Sequence, residues 1–327
     1  MSAISPANRA GAGAGGDGIK VGLHVLGVGT GSKPDVLGAV AQRADELGFA
    51  TLWCGEHVVM VDEPGSRYPY ADDGKFAVAP EADWLDPLLA LSFVAACTRR
   101  IRLATGILLL PEHNPLLVAK QSATVDVVSG GRFSLGIGIG WSADEFAALG
   151  VPFARRGART AEYVSAIRQV WAEDVASFHG EFVSFEAVRV NPRPVHDRRL
   201  PVIVGGTTDA ALDRVAAFGD GWYGFNLTAA EVPDRLQVLA GQCSQHGRQL
   251  NELSIAVAVP GSGPEVLPAL AEAGVTEFVV VAEPPAERDA ATDWVSELAA
   301  TWLPAPSGDP PRPYQPAGSG RSGAPID

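Results

Sequence analysis

Four short runs in this chain carry residues whose types and spacing could do chemistry. Glu56-His57 sets a carboxylate beside an imidazole. An imidazole titrates near neutral pH, so the pair could supply a general base or proton donor at His57, with Glu56 orienting it. Gly205-Gly206 runs directly into Thr207-Thr208-Asp209. Glycines let a backbone come close to a ligand, and a helix start offers unpaired N–H groups at its positive end, the layout that holds a phosphate. A tight turn with no ligand is the plainer reading of the same residues. Gly136-Ile-Gly138-Ile-Gly140-Trp141 has three glycines at spacing two, all on one face of a strand. That bare face admits either a flat ring or the neighbouring backbone, and its spacing is not the dinucleotide fingerprint. Thr105-Gly106-Ile107 puts a glycine late in an apolar run. Such a glycine marks a bulge that could press a peptide plane against a cofactor ring, or simple close packing.

The other candidates are weaker. His24 falls on the first strand, where partial burial is ordinary for histidine. His113, His179, His196 and His246 fall in loops or near helix ends and read as surface groups. Trp141, Trp222 and Tyr223 could line an apolar pocket, although aromatics in strands more often belong to the core. No His, Asp and Glu residues have metal-ligand spacing, so no metal is expected. There is no G-x-S-x-G elbow and no P-loop. Cys54, Cys97 and Cys243 are far apart and form no C-x-x-C, which argues against a disulfide framework or a zinc site and fits a reducing cytosol.

The elements that must position these residues alternate regularly. Strands are expected at 19–27, 51–57, 101–110, 133–140, 201–206, 221–226, 253–259 and 277–282. Helices are expected at 34–47, 86–97, 114–130, 159–171, 209–218, 229–246 and 264–273, with a last one ending at Trp302. Asn114-Pro115 reads as a cap with proline in the first turn, and Gly48 and Gly130 read as helix stops. Eight strand–helix units point to one closed parallel barrel, with an open doubly wound sheet as the competing topology. Residues 181–190 alternate like a small antiparallel excursion. Residues 58–83 read as a polar loop. The strand tips would then converge on one rim, where barrels of this kind hold their chemistry. The barrel would occupy 19–303, between a disordered leader at 1–18 and a disordered tail at 304–327, both rich in small residues and proline or glycine. The formal net charge of −13 disfavours a nucleic-acid binder. No apolar run reaches the roughly 18 residues of a membrane span, and the N-terminus lacks a secretory layout, so a cytoplasmic protein is expected.

Taken together, these segments resemble the luciferase-like monooxygenase superfamily, which includes bacterial luciferase and the F420-dependent barrel reductases. The match lies in Asn114-Pro115 through Lys120, Asp126, Ser129-Gly130-Gly131-Arg132-Phe133, the Gly-x-Gly-x-Gly-Trp run, Glu145-Phe146, Trp53 to His57 and the Gly205-Gly206 turn. The resemblance implies a TIM barrel with an insertion after strand four and a redox cofactor, F420 or, alternatively, reduced FMN. The cofactor ring would rest against a bulge at Gly106-Ile107, often with a non-prolyl cis peptide. Thr105, Gly138, Gly140 and Trp141 would flank the ring, and the phosphate would sit at Gly205, Gly206 and Thr207. His57 would be catalytic or substrate-facing. F420 enzymes of the family often carry Asp-His where this chain has Glu56-His57. The implied activity is F420-dependent hydride transfer with a small organic substrate. The alternatives are an FMNH2-dependent monooxygenase served by a flavin reductase, or a non-catalytic flavin-binding protein. A homodimer is also implied.

Overall fold

The computed structural model describes residues 19–304, so the expected leader and all of the expected tail beyond Pro304 lie outside the described residues. The first strand, β1 (Lys20–Leu26), is buried over most of its length on both faces, as a parallel strand between a filled lumen and outer helices must be. α1 (Pro34–Leu47) buries Val36, Leu37, Val40, Ala41 and Ala44 along one stripe, and Gly48 ends it in the left-handed region at φ 90°. β2 (Thr51–Cys54) is shorter than expected, because residues 55–57 already belong to the rim loop. α2 (Pro87–Cys97) starts where the Asp86 carboxylate accepts the Leu88 and Leu89 amides at 2.8 and 2.9 Å.

The strand expected at 101–110 is two, β3 (Arg102–Thr105) and β4 (Leu108–Leu109), interrupted by a cis Gly106–Ile107 peptide. α3 (Pro115–Ser129) has Asn114 as its cap and Gly130 at φ 70° as its stop. β5 (Phe133–Gly138) precedes the insertion. That insertion holds a short helix the sequence did not suggest, α4 (Ala143–Ala148), then α5 (Arg156–Ala172) and an antiparallel hairpin of β6 (Ala176–His179) and β7 (Ser184–Val188). The remaining units are β8 (Val202–Gly205), α6 (Asp209–Phe218), β9 (Gly221–Gly224), α7 (Glu231–Gln245), β10 (Ser254–Val257), α8 (Leu267–Glu272), β11 (Glu277–Val281) and α9 (Arg288–Trp302).

Every pairing among the barrel strands is parallel, in the order β1-β2-β3/β4-β5-β8-β9-β10-β11. Lys20 and Glu277 begin the register that joins β11 back to β1. The circle therefore closes and the open-sheet topology is ruled out. The main core lies between strands and helices, and a smaller cluster of Trp53, Ala104, Ile203, Tyr223, Ala256, Ala258 and Val279 fills the lumen.

Polar groups thread that lumen. Glu277 Oε1 accepts from Trp53 Nε1 at 2.8 Å, and its Oε2 accepts from the Thr51 hydroxyl at 3.0 Å. Trp53 stacks on Tyr223, with ring centroids 4.6 Å apart and planes 12° apart. The Tyr223 hydroxyl lies 2.9 Å from His24 Nδ1. Burial pushes the Glu277 carboxyl up, against the pull of its bonds to Trp53 and Thr51.

Candidate active site

At the C-terminal rim, the residues after β2 turn inward. Glu56 is buried, and its Oε2 accepts the Leu109 amide at 2.6 Å and faces His113 Nε2 at 3.0 Å. Glu56 thus ties the β2 tip to β4 across the interrupted strand. It does not orient His57. That corrects the expected Glu56–His57 pair, because the Glu56 carboxylate is taken up by Leu109 and His113. The partner of His57 is Glu145 on α4, whose Oε2 lies 2.8 Å from His57 Nδ1. Glu145 Oε1 accepts the Val58 amide at 2.7 Å and the Val59 amide at 3.3 Å. One carboxylate therefore fixes both the imidazole and the start of the loop that follows it.

His113 is likewise not a surface group. Its side chain is 23 % exposed against 8 % for His57. Burial alone would lower its pKa, but the bond to Glu56 and the fields of Glu56, Asp86 and Glu145 outweigh this and hold it above the ordinary imidazole value. Glu112, on the 3-10 turn Leu110–Glu112, has its Oε1 3.1 Å from the Cβ position of Gly140. Among the described residues neither of its buried carboxyl oxygens has a hydrogen-bond partner. Burial first, then the charges of Glu145 and Glu56, push it up to about 9. His24 is shifted oppositely: desolvation lowers it to about 4, so the ring facing Tyr223 is neutral at pH 7. Sequence reasoning passed over Glu112, met Glu145 only within the family resemblance and read His113 as a surface group, because no local spacing links turns 30 to 90 residues apart.

The strand glycines have a more specific cause than an open face. A Cβ at Gly138 would stand 2.1 Å from Ile107 Cδ1, and one at Gly205 would stand 2.7 Å from the same atom. A Cβ at Gly136 would meet the Thr105 carbonyl oxygen at 1.8 Å. These three glycines are bare because the bulge fills the space above them, so of the two readings of the strand face at Gly136 and Gly138 close packing holds, and the Cβ side of Gly205, expected at the phosphate, is taken by Ile107. Gly140, at φ 73°, makes room for Phe146 and for Glu112 Oε1. The atoms nearest the Cβ position of Gly106 belong to Trp53 and His24, at 3.1 to 3.3 Å.

Gly206 takes φ 114°, and its carbonyl accepts Trp222 Nε1 at 2.7 Å. Trp222 is therefore a fully buried clamp behind the turn and does not line a pocket. Tyr223 is also buried, in the lumen. Thr207 follows half-buried, and Thr208 caps α6 through its side chain on the Ala211 amide. Thr208 thus takes the Ala211 amide, and the amides of Asp209 and Ala210 at the start of α6 have no intrahelical acceptor. The neighbourhood of α5 and α6 also holds two cations the sequence did not single out. Arg156 opens α5, stacks at 3.8 Å on Phe153 and donates Nε to the Gly140 carbonyl at 3.1 Å. Arg214, on α6, has its Nη1 within 3.5 Å of the Cβ position of Gly157, and its buried Nε has no partner among the described residues. Burial, and then the charge of Arg156, lower its pKa.

The loop from residue 58 carries an aromatic group over the rim, which corrects its reading as merely polar. Phe76 and Trp84 approach the His57 ring to 5.0 and 4.9 Å, and Trp141 approaches it to 5.8 Å. Tyr68 packs on Phe76 and Trp141, and Asn226 Nδ2 donates to the Tyr70 carbonyl at 2.9 Å, tying the loop to the end of β9. The imidazole is thus held on one side by a carboxylate and boxed by aromatic edges, an arrangement able to take or give a proton with little water around it.

A closed parallel (β/α)8 barrel, with its titratable groups, its bulge and an open helix start gathered on the C-terminal rim, defines a barrel protein built like an enzyme. The chain belongs to the luciferase-like monooxygenase family, whose model matches residues 18–262. It is 34 % identical over 263 residues to an uncharacterized protein of Mycobacterium tuberculosis, covering 80 % of this chain and 92 % of that one. It is 34 % identical over 139 residues to an FMNH2-dependent dimethylsulfone monooxygenase of Pseudomonas putida, covering 42 % of this chain and 38 % of that one. A coenzyme F420-dependent tetrahydromethanopterin reductase from Methanopyrus kandleri shares the fold, with a TM-score of 0.66 at 17 % identity over 86 % of this chain and 98 % of that one. The family's members are oxidoreductases and monooxygenases. No helix among the described residues is long and apolar enough to cross a membrane.

Proposed function

We propose that this protein is an F420-dependent oxidoreductase that exchanges a hydride with a small organic substrate, with His57 as the substrate-facing proton donor or acceptor. The observation that carries the reading is the His57–Glu145 pair at 2.8 Å, boxed by aromatic rings on the rim that also holds the Gly106–Ile107 bulge. The residues present suit a phosphate-bearing cofactor. Thr207 and the amides of Asp209 and Ala210 at the start of α6 would receive the phosphate, and Arg214, whose buried Nε lacks a partner among the described residues, would supply charge there. Thr105, Gly106, Ile107, Gly140 and Trp141 would surround the ring.

When bound, the cofactor supplies the hydride chemistry. The chain's own residues orient the substrate, exclude water through Tyr68, Phe76, Trp84 and Trp141, and move a proton at the imidazole of His57. Glu145 fixes that ring and balances the positive charge formed when it is protonated. Glu56 instead ties the β2 tip to β4, just past the bulge.

The identity to an FMNH2-dependent monooxygenase favours a second reading, reduced FMN delivered by a partner reductase, with oxygen as co-substrate. Parallel fluorescence titration with F420 and FMN, each oxidised and reduced, separates the two readings. The F420 reading expects tighter binding of F420, lost on Arg214→Gln. Tighter binding of FMN reverses the choice, and no binding of either removes both.

A further inference from the structure

We propose that His24 is a binding residue for the cofactor ring, donating a fixed Nε2–H from the floor of the rim to a ring carbonyl oxygen. This rests on the reading that a flavin-type ring lies on the Gly106–Ile107 bulge, and it holds for F420 and FMN alike, since both carry ring carbonyls. His24 pairs in register with Trp53 at the C-terminal part of β1. The Trp53–Tyr223 stack beside it is buried, whereas His24, Gly106, Ile107 and Phe225 are all half-buried. The imidazole therefore stands where the filled lumen ends and the rim begins. Its Cε1 is 3.3 Å from the Cβ position of Gly106, and its Nε2 is 3.1 Å from the Cβ position of Gly55, so a side chain at residue 55 would press on Nε2 and glycine leaves it uncovered. Among the described residues His24 makes its one side-chain hydrogen bond at Nδ1, with the Tyr223 hydroxyl at 2.9 Å. The fully enclosed side-chain atoms without a partner belong to Glu112, Arg193, Arg214 and Gln242, and Nε2 of His24 is not one of them, so it keeps access to the rim.

Tyr223 decides which nitrogen bears the proton. A phenol donates well and accepts poorly, and a bare imidazole nitrogen accepts well. Burial holds the Tyr223 hydroxyl well above its ordinary value, so it keeps its proton and gives it to Nδ1. The ring's own proton is then on Nε2. Desolvation alone lowers His24 to about 4, with no charged group contributing, so the ring is neutral at pH 7. A neutral N–H suits a neutral acceptor, since no charge has to be desolvated as the site closes. Gly106, in the bulge that would carry the ring, stands against the same imidazole, which makes the cofactor rather than the substrate the partner. His57, paired with Glu145, still moves the proton of the reaction, and His24 moves none.

Two measurements test this. In the cofactor-free protein, long-range proton–nitrogen NMR should show a neutral His24 with its proton on Nε2 from about pH 6 to pH 8, above the lowered value of about 4. Tyr223→Phe should lose that fixed tautomer. A proton found on Nδ1 in the unmodified protein overturns the proposal. Fluorescence titration with F420 and with FMN then compares the unmodified protein, His24→Phe and His24→Gln. The cofactor that the unmodified protein binds should bind roughly tenfold more weakly to His24→Phe, the scale of one lost hydrogen bond. His24→Gln, which keeps an N–H donor, should recover most of that affinity. The absorption maximum of the bound cofactor should move in the phenylalanine variant and return in the glutamine variant. Unchanged affinity and absorption in folded His24→Phe overturn the proposal and leave the cofactor reading standing. No binding of either cofactor by the unmodified protein overturns both.

Discussion

The histidines of this protein differ through their neighbours. His57 has a carboxylate at one nitrogen and aromatic edges around it, whereas His24 has only a tyrosine hydroxyl and loses its charge to desolvation. Replacing His57 with alanine should lower turnover by roughly 10²–10⁴-fold, the ordinary worth of a positioned proton-transfer group. Cofactor affinity should stay within a few-fold, and steady-state kinetics beside fluorescence titration checks both. Unchanged turnover would remove His57 from the chemistry. Glu112 gives a stability prediction whose sign follows from its raised folded-state value. The unfolded chain releases this proton above its ordinary value of 4.5, while the folded chain keeps it until about 9. Folding is therefore favoured below pH 4.5 and progressively penalised between 4.5 and 9, by on the order of 3 kcal/mol at pH 7. Glu112→Gln has no proton to lose, so its unfolding free energy should fall less steeply from pH 5 to pH 8. Parallel slopes in urea titrations at those two pH values would contradict the assignment.

At the scale of elements, the interrupted third strand dictates its neighbours. Ile107 leaves the sheet where β3 stops, and its side chain occupies the space above Gly138 on β5 and Gly205 on β8. Gly205→Ala should cost about 1–3 kcal/mol through overpacking. Adding Ile107→Val should recover much of that loss, because the deleted methyl group is the Cδ1 atom that the new Cβ would strike. Chemical denaturation of the two single variants and the double variant measures the coupling, and strict additivity would show that the glycine serves something other than the bulge. Gly136→Ala should have no such rescue, because its neighbour is the Thr105 carbonyl, a backbone atom. The helix boundaries in this region were legible in the sequence, since Asn114, Pro115 and Gly130 set caps that depend only on local geometry. The break at Gly106 was legible only as a candidate bulge, and its effect on glycines about 30 and 100 residues away was not.

In the molecule as a whole, the lumen stack joins strands from both ends of the chain. Glu277 on β11 holds Trp53 and Thr51 on β2, Trp53 stacks on Tyr223 of β9, and Tyr223 meets His24 of β1. Trp53→Ala would open a cavity and leave a buried carboxyl short of a donor, so a loss of about 3–5 kcal/mol is expected from thermal or chemical unfolding. A loss below about 1 kcal/mol would mean that the outer core alone closes the barrel. The same variant should disturb the rim, because Trp53 also packs at the Cβ position of Gly106.

By itself the sequence determined the eight strand–helix units, the family resemblance and the rim positions of His57, Gly106 and Gly206, because periodicity, caps and glycine placement are written in residues a few positions apart. Only the tertiary structure decided that Glu145 rather than Glu56 holds His57, that His113 turns inward to Glu56, that Glu112 has no partner among the described residues and that Ile107 covers Gly138 and Gly205. Closing the barrel brings turns far apart in the chain onto one rim, and the partner of a buried polar or bulky side chain is set by which atoms meet there, a matter that no spacing along the sequence records.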